Sequence, residues 1–290
     1  MRFGCEIEMG YPRYDTARAL EKVLPFATFS DDGSRLYRVR SRPAGGTWKV
    51  KYDGSLYPFS SDEQSEVASP PLTYPDGLTY LRTVGKALAD DGAQVSQFCG
   101  VHVHVDASSL DAIALRNLLF IAHRNEPLLT DALAIHQERL RYCRPLEADL
   151  IERMEMRNPQ TVEDVLNAWY GIPNDHYHAI DHRATRYHGV NFHAIREHGT
   201  VEFRWYNSVL DPDWLTAYVQ LSLALVARSC RQKRANARHK PFAGNPRWSM
   251  RVFLINLGLI GDNFQATRRL LMQRLPGNSG CCYPESRSRF

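Results

Sequence analysis

Hydrophobic and polar residues alternate in the opening segment RFGCEIEMG. Phe3, Cys5, Ile7 and Met9 fall on one side, Gly4, Glu6, Glu8 and Gly10 on the other. A period of two marks a strand that buries one face. The alternation returns in CGVHVHVD, where Val101, Val103 and Val105 oppose His102, His104 and Asp106. It returns again in TVEFRW, where Val201, Phe203 and Trp205 oppose Thr200, Glu202 and Arg204. WKVKYDGSL sets Lys49 and Lys51 opposite Val50, and SEVASPP places Glu66 ahead of Val67. Residues 1–70 as a whole read as strand-rich, with Gly and Pro turns.

Helical periodicity takes over afterwards. A helix is expected from about Leu78 to Ala89, and residues 108–170 read as mostly helical. Ser108 and Asp111 have capping-box spacing ahead of AIALRNLLFIAH, and Pro127 suits the first turn of a following helix. EADLIERMEM and TVEDVLNAWYG make two shorter helices. A long helix starts at Asp211 with Pro212 in its first turn, and its apolar residues run nearly all round, as in a buried helix. Residues 246–275 hold two more helices, and the last fifteen residues, with Pro276, Gly277 and Gly280, read as a loose tail. The pattern implies one α+β domain with a helical C-terminal extension.

Composition narrows the setting. The chain has 290 residues, 43% hydrophobic and 23% charged, as an ordinary globular protein does, and a mild net charge of +4. No stretch approaches the roughly 20 apolar residues of a membrane helix, and no signal-peptide core opens the chain. Six cysteines, at 5, 99, 143, 230, 281 and 282, lack paired spacing, so a reducing, cytoplasmic location is expected.

The polar faces of the strands are unusual. A solvated face mixes Thr, Ser, Lys and Gln, whereas these carry Glu/Glu, His/His/Asp and Glu/Arg. Like charges two residues apart repel, and a cation between them relieves the repulsion. The strands together imply one sheet with a metal-lined face. Glu6, Glu8, Glu66 and Glu202 with His102 make a hard, oxygen-rich set that suits Mg²⁺ or Mn²⁺ better than Zn²⁺. Lys51, Arg186 and Arg204 are then left to hold phosphates, and divalent ions bridging phosphate oxygens stabilise in-line phosphoryl transfer.

In this order, FGCEIE, KYDGSL, SEVASPP, CGVHVHVD, RYHGVNF and TVEFRWYNS resemble the putative amidoligase family, carboxylate–amine ligases that share the glutamine synthetase catalytic fold. The motifs span residues 3 to about 226. The resemblance implies a curved, mostly antiparallel sheet of that type with helices on one face. Residues 1–240 would form the catalytic domain and 241–290 the extension and tail. It implies that ATP phosphorylates a carboxylate to an acyl phosphate, which an amine attacks to give an amide or isopeptide bond. It assigns Glu6, Glu8, Glu66, His102 and Glu202 to metal ions. It assigns Arg186 and Arg204 to phosphate or substrate, with Lys51 and Asp53 in a K-x-D-G-S element. His104, which shares the metal face with Asp106, reads either as positioning the nucleotide or substrate or as a satisfied structural histidine. Without G-x-x-x-x-G-K-[ST], ATP would lie on the sheet and not on a P-loop. The implied partners are a carboxylate and an amine, small molecules or peptides, with no membrane, no nucleic acid and the oligomeric state open. Strict alternation separates Arg186 from Asn191, unless Gly189 carries a bulge.

Other readings stay open at this level. A guanidino or amino-group kinase would use the same face. A metal-dependent hydrolase would centre on His102 and His104 and favour Zn²⁺ or Mn²⁺. The basic run at 228–240 reads as a helix C-terminus whose cations complement the dipole, with nucleic-acid contact as the alternative. Histidines 176, 178, 182, 188, 193 and 198 read as lining a substrate mouth or as surface residues ahead of a Zn²⁺ site. Arg38, Arg40 and Arg42 read as a solvated edge strand, with recognition of an acidic acceptor as the alternative.

Overall fold

The computed structural model describes residues 1–31, 33, 36–42, 46–171, 185–238 and 244–281. Its strands are β1 (Arg2–Gly10), β2 (Thr28–Asp31), β3 (Tyr37–Ser41), β4 (Gly46–Tyr52), β5 (Gln64–Ala68), β6 (Leu72–Thr73), β7 (Gly100–Asp106), β8 (Val190–Asn191) and β9 (Thr200–Asn207). They form one antiparallel sheet in the order β2-β3-β4-β5-β1-β7-β9-β8, with β6 pairing at the start of β1. The helices are α1 (Arg13–Val23), α2 (Gly77–Asp90), α3 (Ala112–Leu133), α4 (Ala148–Arg157), α5 (Val162–Tyr170), α6 (His193–His198), α7 (Pro212–Arg231), α8 (Pro246–Leu257) and α9 (Gln265–Met272).

The alternation seen in the sequence becomes the two faces of this sheet. Phe3, Cys5, Ile7, Met9, Val101, Val103, Val105, Val201 and Phe203 are all buried in one continuous core. α1 packs on β3, β4 and β5, α7 on β7, and α3 on β9. α7 is buried nearly all round, as its composition required. Tyr218 stacks on Tyr206 with ring centroids 4.3 Å apart, and Ser222 shares a 2.7 Å hydrogen bond with the Tyr206 hydroxyl. α8 and α9 join the same core through Met250, Leu254, Leu270 and Leu271. No helix among the described residues is long and apolar enough to cross a membrane.

Several local expectations are corrected. Residues 1–70 are strand-rich as the pattern implies, but they also hold α1, which the pattern did not show and which follows β1 directly; Thr16, Ala17 and Leu20 are its buried stripe. α3 runs straight through Pro127 instead of restarting there. A proline inside a helix costs about 3 kcal/mol, but Leu118, Leu119, Ala122, Leu128, Leu129 and Ala132 are buried on both sides of it and outweigh that cost. Asp111 alone caps α3, accepting from Ala114 N at 2.7 Å, so the Ser108–Asp111 capping box is not formed. Arg38 and Arg40 lie on β3, which is inside the sheet; β2 is the edge strand. The segment after α9 is tied down at its start: Asn245 donates to Asn278 O and Cys281 O, and Arg251 to Ser279 O. Histidines 176, 178 and 182, and the end of the tail from residue 282, lie outside the described residues.

Candidate active site

Strand order and register assemble the polar face. On adjacent strands Lys51 is level with Glu66, and Glu66 with Glu8. Glu6 is level with His102, His104 with Glu202, and Glu202 with Asn191. Residues level with each other in an antiparallel pair point the same way. Groups up to about 200 positions apart in sequence therefore share one surface, with Glu8, Glu66, His102, Glu202 and Arg204 buried.

Two clusters result. In the first, one oxygen each of Glu6 and Glu202 and one nitrogen of His104 lie within 4.8 Å of one another. His104 Nε2 is 3.7 Å from Glu6 and 3.8 Å from Glu202, buried and without a hydrogen-bond partner, while its Nδ1 shares a 2.9 Å hydrogen bond with Thr200. In the second, oxygens of Glu8, Asp53 and Glu66 meet the same 4.8 Å limit. His102 stands between the two, 3.3 Å from Glu6, 3.6 Å from Glu8 and 3.5 Å from Glu202. Lys51 bridges them from the side, 3.3 Å from Glu6 and 2.6 Å from Glu66.

Arg204 is held at two points, donating to Glu202 at 2.5 Å and to Tyr142 O at 3.1 Å. Asn191 donates to the other oxygen of Glu202 at 2.7 Å. Arg186 is exposed at the rim, its guanidinium 5.3 Å from the Tyr187 ring centroid. It lines a cavity of about 190 Å³ with Asn191, Glu202 and Arg204, so the chain does bring Arg186 and Asn191 together. The bulge that the sequence suggested at Gly189 lies elsewhere: the β7–β9 register slips between Val101 and Val103, opposite Arg204 and Trp205. Gly189 serves close approach instead, since a Cβ there would overlap the Trp205 indole.

The electrostatics follow from burial without solvent. Burial pushes Glu8 up to about 8 and Glu66, with Glu6 close by, up to about 7. Burial also opposes ionisation of Glu202, but Arg204, His104 and His102 outweigh it and hold its pKa down at about 2. Glu6 is likewise held well below the usual carboxylate range, burial being outweighed by His102 and His104. Burial, then Arg204, lowers His102 to about 4, whereas Glu6 and Glu202 overcome burial and raise His104.

Residues that the sequence did not single out complete the surroundings. Arg139 is buried, donating to Arg204 O at 2.8 Å and Trp205 O at 3.2 Å. Its guanidinium packs so closely on Gly100 that a Cβ there would lie 2.8 Å from Cζ. With Phe98, Tyr142 and Tyr187 it lines a cavity of about 210 Å³ that opens on Glu8, Asp53 and Glu66. Tyr187 lies in the RYHGVNF motif, whereas no local signal marks Phe98, Arg139 or Tyr142. Of the remaining histidines, His193 is buried against Tyr170 (2.7 Å) and Glu197 (3.0 Å), and His188 faces Pro145 O at 3.2 Å.

Carboxylates from three strands, with Asp53 just after β4, two imidazoles and a fixed arginine on one sheet face define an α+β protein with an acidic surface able to hold cations. The model of the family described as "putative amidoligase enzyme" matches residues 1–226, and the chain belongs to that family. Its family thus makes it an enzyme of the ligase type. No curated protein matches it.

Proposed function

We propose that this protein joins a carboxylate to an amine, using ATP and Mg²⁺ through an acyl phosphate, on a sheet of the glutamine synthetase type. The observation that carries this reading is the pair of carboxylate clusters, Glu6–His104–Glu202 and Glu8–Asp53–Glu66, on one sheet face. The donor chemistry fits hard divalent ions. Five carboxylates and one imidazole offer mostly oxygen, a cation between Glu8 and Glu66 would keep both ionised despite burial, and the unpartnered His104 Nε2 points into the first cluster. His102, between the clusters, completes either set. Mn²⁺ meets the same donors. Bound there, such ions would neutralise the triphosphate and the attacking carboxylate.

The protein's own groups then have defined tasks. Arg204, oriented by Glu202 and Tyr142 O before substrate arrives, stabilises charge on the transferred phosphoryl group. Arg186 reaches the same cavity from the rim. Lys51 is kept protonated by Glu66 and Glu6, against burial, and steadies the carboxylates or a phosphate oxygen. Phe98, Tyr142 and Tyr187 give the Asp53 end an aromatic wall for a base. Buried thiols at Cys5, Cys99 and Cys143 fit a reducing, cytoplasmic setting.

Thermal denaturation with a non-hydrolysable ATP analogue, in Mg²⁺ or in EDTA, tests the reading. At about a hundred times its dissociation constant the nucleotide adds roughly 2.7 kcal/mol, or about 5 °C. The shift should need Mg²⁺ and vanish in Glu202→Gln. No nucleotide shift, with stabilisation by Zn²⁺ alone, would overturn the ligase in favour of the hydrolase.

A further inference from the structure

Arg139 is only 2% exposed, and the other described side chains of its size buried to that degree are uncharged. Burying a guanidinium is costly, so its place needs a reason. It stands on the segment that follows α3. Asn207, the last residue of β9, ties down the start of that segment, donating to Ala134 O at 2.8 Å and accepting from His136 N at 3.0 Å. A single turn of 3-10 helix (Gln137–Arg139) follows, and Tyr142 N donates to Arg139 O at 2.8 Å. The segment thus runs back along β9 from Asn207 towards Arg204.

It meets β9 at the register slip. Val101 pairs with Tyr206 and Val103 with Phe203, so His102 alone stands opposite both Arg204 and Trp205. A bulge of this kind re-aims a side chain. Arg139 holds the bulge with both ends of its fork, donating to Arg204 O at 2.8 Å and to Trp205 O at 3.2 Å. On the other side of β9, Arg204 N donates to Gly189 O at 2.8 Å. The same segment also reaches the Arg204 side chain, whose Nε donates to Tyr142 O at 3.1 Å. Towards β7, the Arg139 guanidinium packs on Gly100, whose N–H donates to Glu8 at 2.5 Å. One buried side chain therefore stands between Glu8 of the second carboxylate cluster and Arg204 beside the first.

Satisfying two carbonyls does not by itself require an arginine, since a neutral amide also carries two donors and costs less to bury. Arginine adds a rigid planar fork and a permanent charge. The charge borders the cavity of about 210 Å³ shared with Glu8, Asp53, Glu66 and Arg204. The fork does what Glu202 cannot. Glu202 is two residues from Arg204 on the same strand, so their ion pair moves with β9 and does not fix Arg204 against the rest of the site.

We infer that Arg139 is a positioning residue for Arg204: its fork on the two carbonyls of the slip sets where the Arg204 guanidinium stands over the site. Donors aimed before substrate arrives need no reorganisation during the reaction. That Arg204 stabilises a transferred phosphoryl group rests on the ligase reading; that Arg139 places Arg204 does not.

Two measurements on the full chain test this. The first is exchange of arginine Nε–H protons with water, by NMR of protein labelled with ¹⁵N-arginine. The Arg204 signal is the one lost in Arg204→Lys, and Arg247, whose Nε donates to Leu275 O at 2.9 Å outside the site, is the control. Arg139→Met removes both donors at similar length, and Arg139→Lys keeps the charge without the planar fork. Exchange at Arg204 should quicken about tenfold or more in Arg139→Met and by a smaller factor in Arg139→Lys, with Arg247 unchanged in both. The second is calorimetry with Mg²⁺ and a non-hydrolysable ATP analogue. Arg139→Met should weaken binding about tenfold, and adding it to Arg204→Lys should cost nothing further, because a residue that acts through another is redundant once that other is gone. Unchanged exchange at Arg204, equal acceleration at Arg204 and Arg247, or additive losses in the double variant would each overturn the assignment. If Arg139→Met does not fold, Arg139→Lys decides on the same readouts. If wild type binds no nucleotide, the ligase reading fails, and exchange at Arg204 still decides whether Arg139 positions it.

Discussion

Glu126 offers a test of the fold's electrostatics that is independent of metal and nucleotide. It lies on α3 beneath β9, buried, and accepts hydrogen bonds from Leu146 N at 2.9 Å and from Trp205 Nε1 at 3.4 Å. Burial dominates those two bonds and pushes its pKa from 4.5 to about 7. Between those values the folded protein keeps a proton that the unfolded chain releases. Stability therefore falls as pH rises through this window and levels off above about 7. At about 1.4 kcal/mol per pH unit, the whole window is worth roughly 3 kcal/mol, most of it between pH 5 and 8. Glu126→Gln keeps an acceptor for Leu146 N and removes the titration. The assay is the melting temperature of both proteins at pH 5 and pH 8. Other groups, Glu8 and Glu66 among them, are shared and cancel in the comparison. The variant's melting temperature relative to wild type should rise by about 5 °C from pH 5 to pH 8. A relative value constant to within about 1 °C, or one that falls, would show that Glu126 is ionised in the folded protein at both pH values, and the reasoning from burial would be refuted.

Three further outcomes are expected. Gly189→Ala drives a methyl group into the buried Trp205 indole, whose Cε2 would be 2.6 Å away; overpacking of this kind costs about 1–3 kcal/mol, so a melting temperature equal to wild type would contradict the close approach. Asp111→Ala removes the cap of α3 and should cost about 1 kcal/mol in denaturant unfolding, whereas Ser108→Ala should cost almost nothing. Arg204→Lys cannot hold both Glu202 and Tyr142 O with the planar fork of arginine. It should weaken Mg²⁺–nucleotide binding about tenfold or more by calorimetry, and undiminished affinity would remove Arg204 from the phosphate site.

Much of the sheet can be read from local pattern. Alternation in β1, β7 and β9 shows which side of each strand is buried and which carries Glu6, Glu8, His102, His104, Glu202 and Arg204, because side-chain direction along a strand has a period of two and needs no knowledge of neighbours. α7 is legible for a similar reason: its residues are apolar all round, and Pro212 after Asp211 marks its start. Where burial competes with a local rule the reading fails, as at Pro127, whose helix is held by apolar residues packed on both sides. α1 has weaker marks, chiefly Thr16, Ala17 and Leu20 on one stripe between Pro12 and Lys22.

Alternation says that a residue faces the polar side, but not which residue stands next to it. That depends on strand order and register, which long-range pairing sets. Only the folded sheet brings Asp53 to Glu8 and Glu66, sets His104 against Glu6 and Glu202 with His102 between the clusters, and seats Arg139 behind Arg204. The slip between β7 and β9 and the inner position of β3 are equally invisible to a local pattern. The sequence determines the chemistry each strand presents, because that is a property of a few consecutive residues. The tertiary structure decides the constellation, because strands far apart in the chain must pair before their charges can meet.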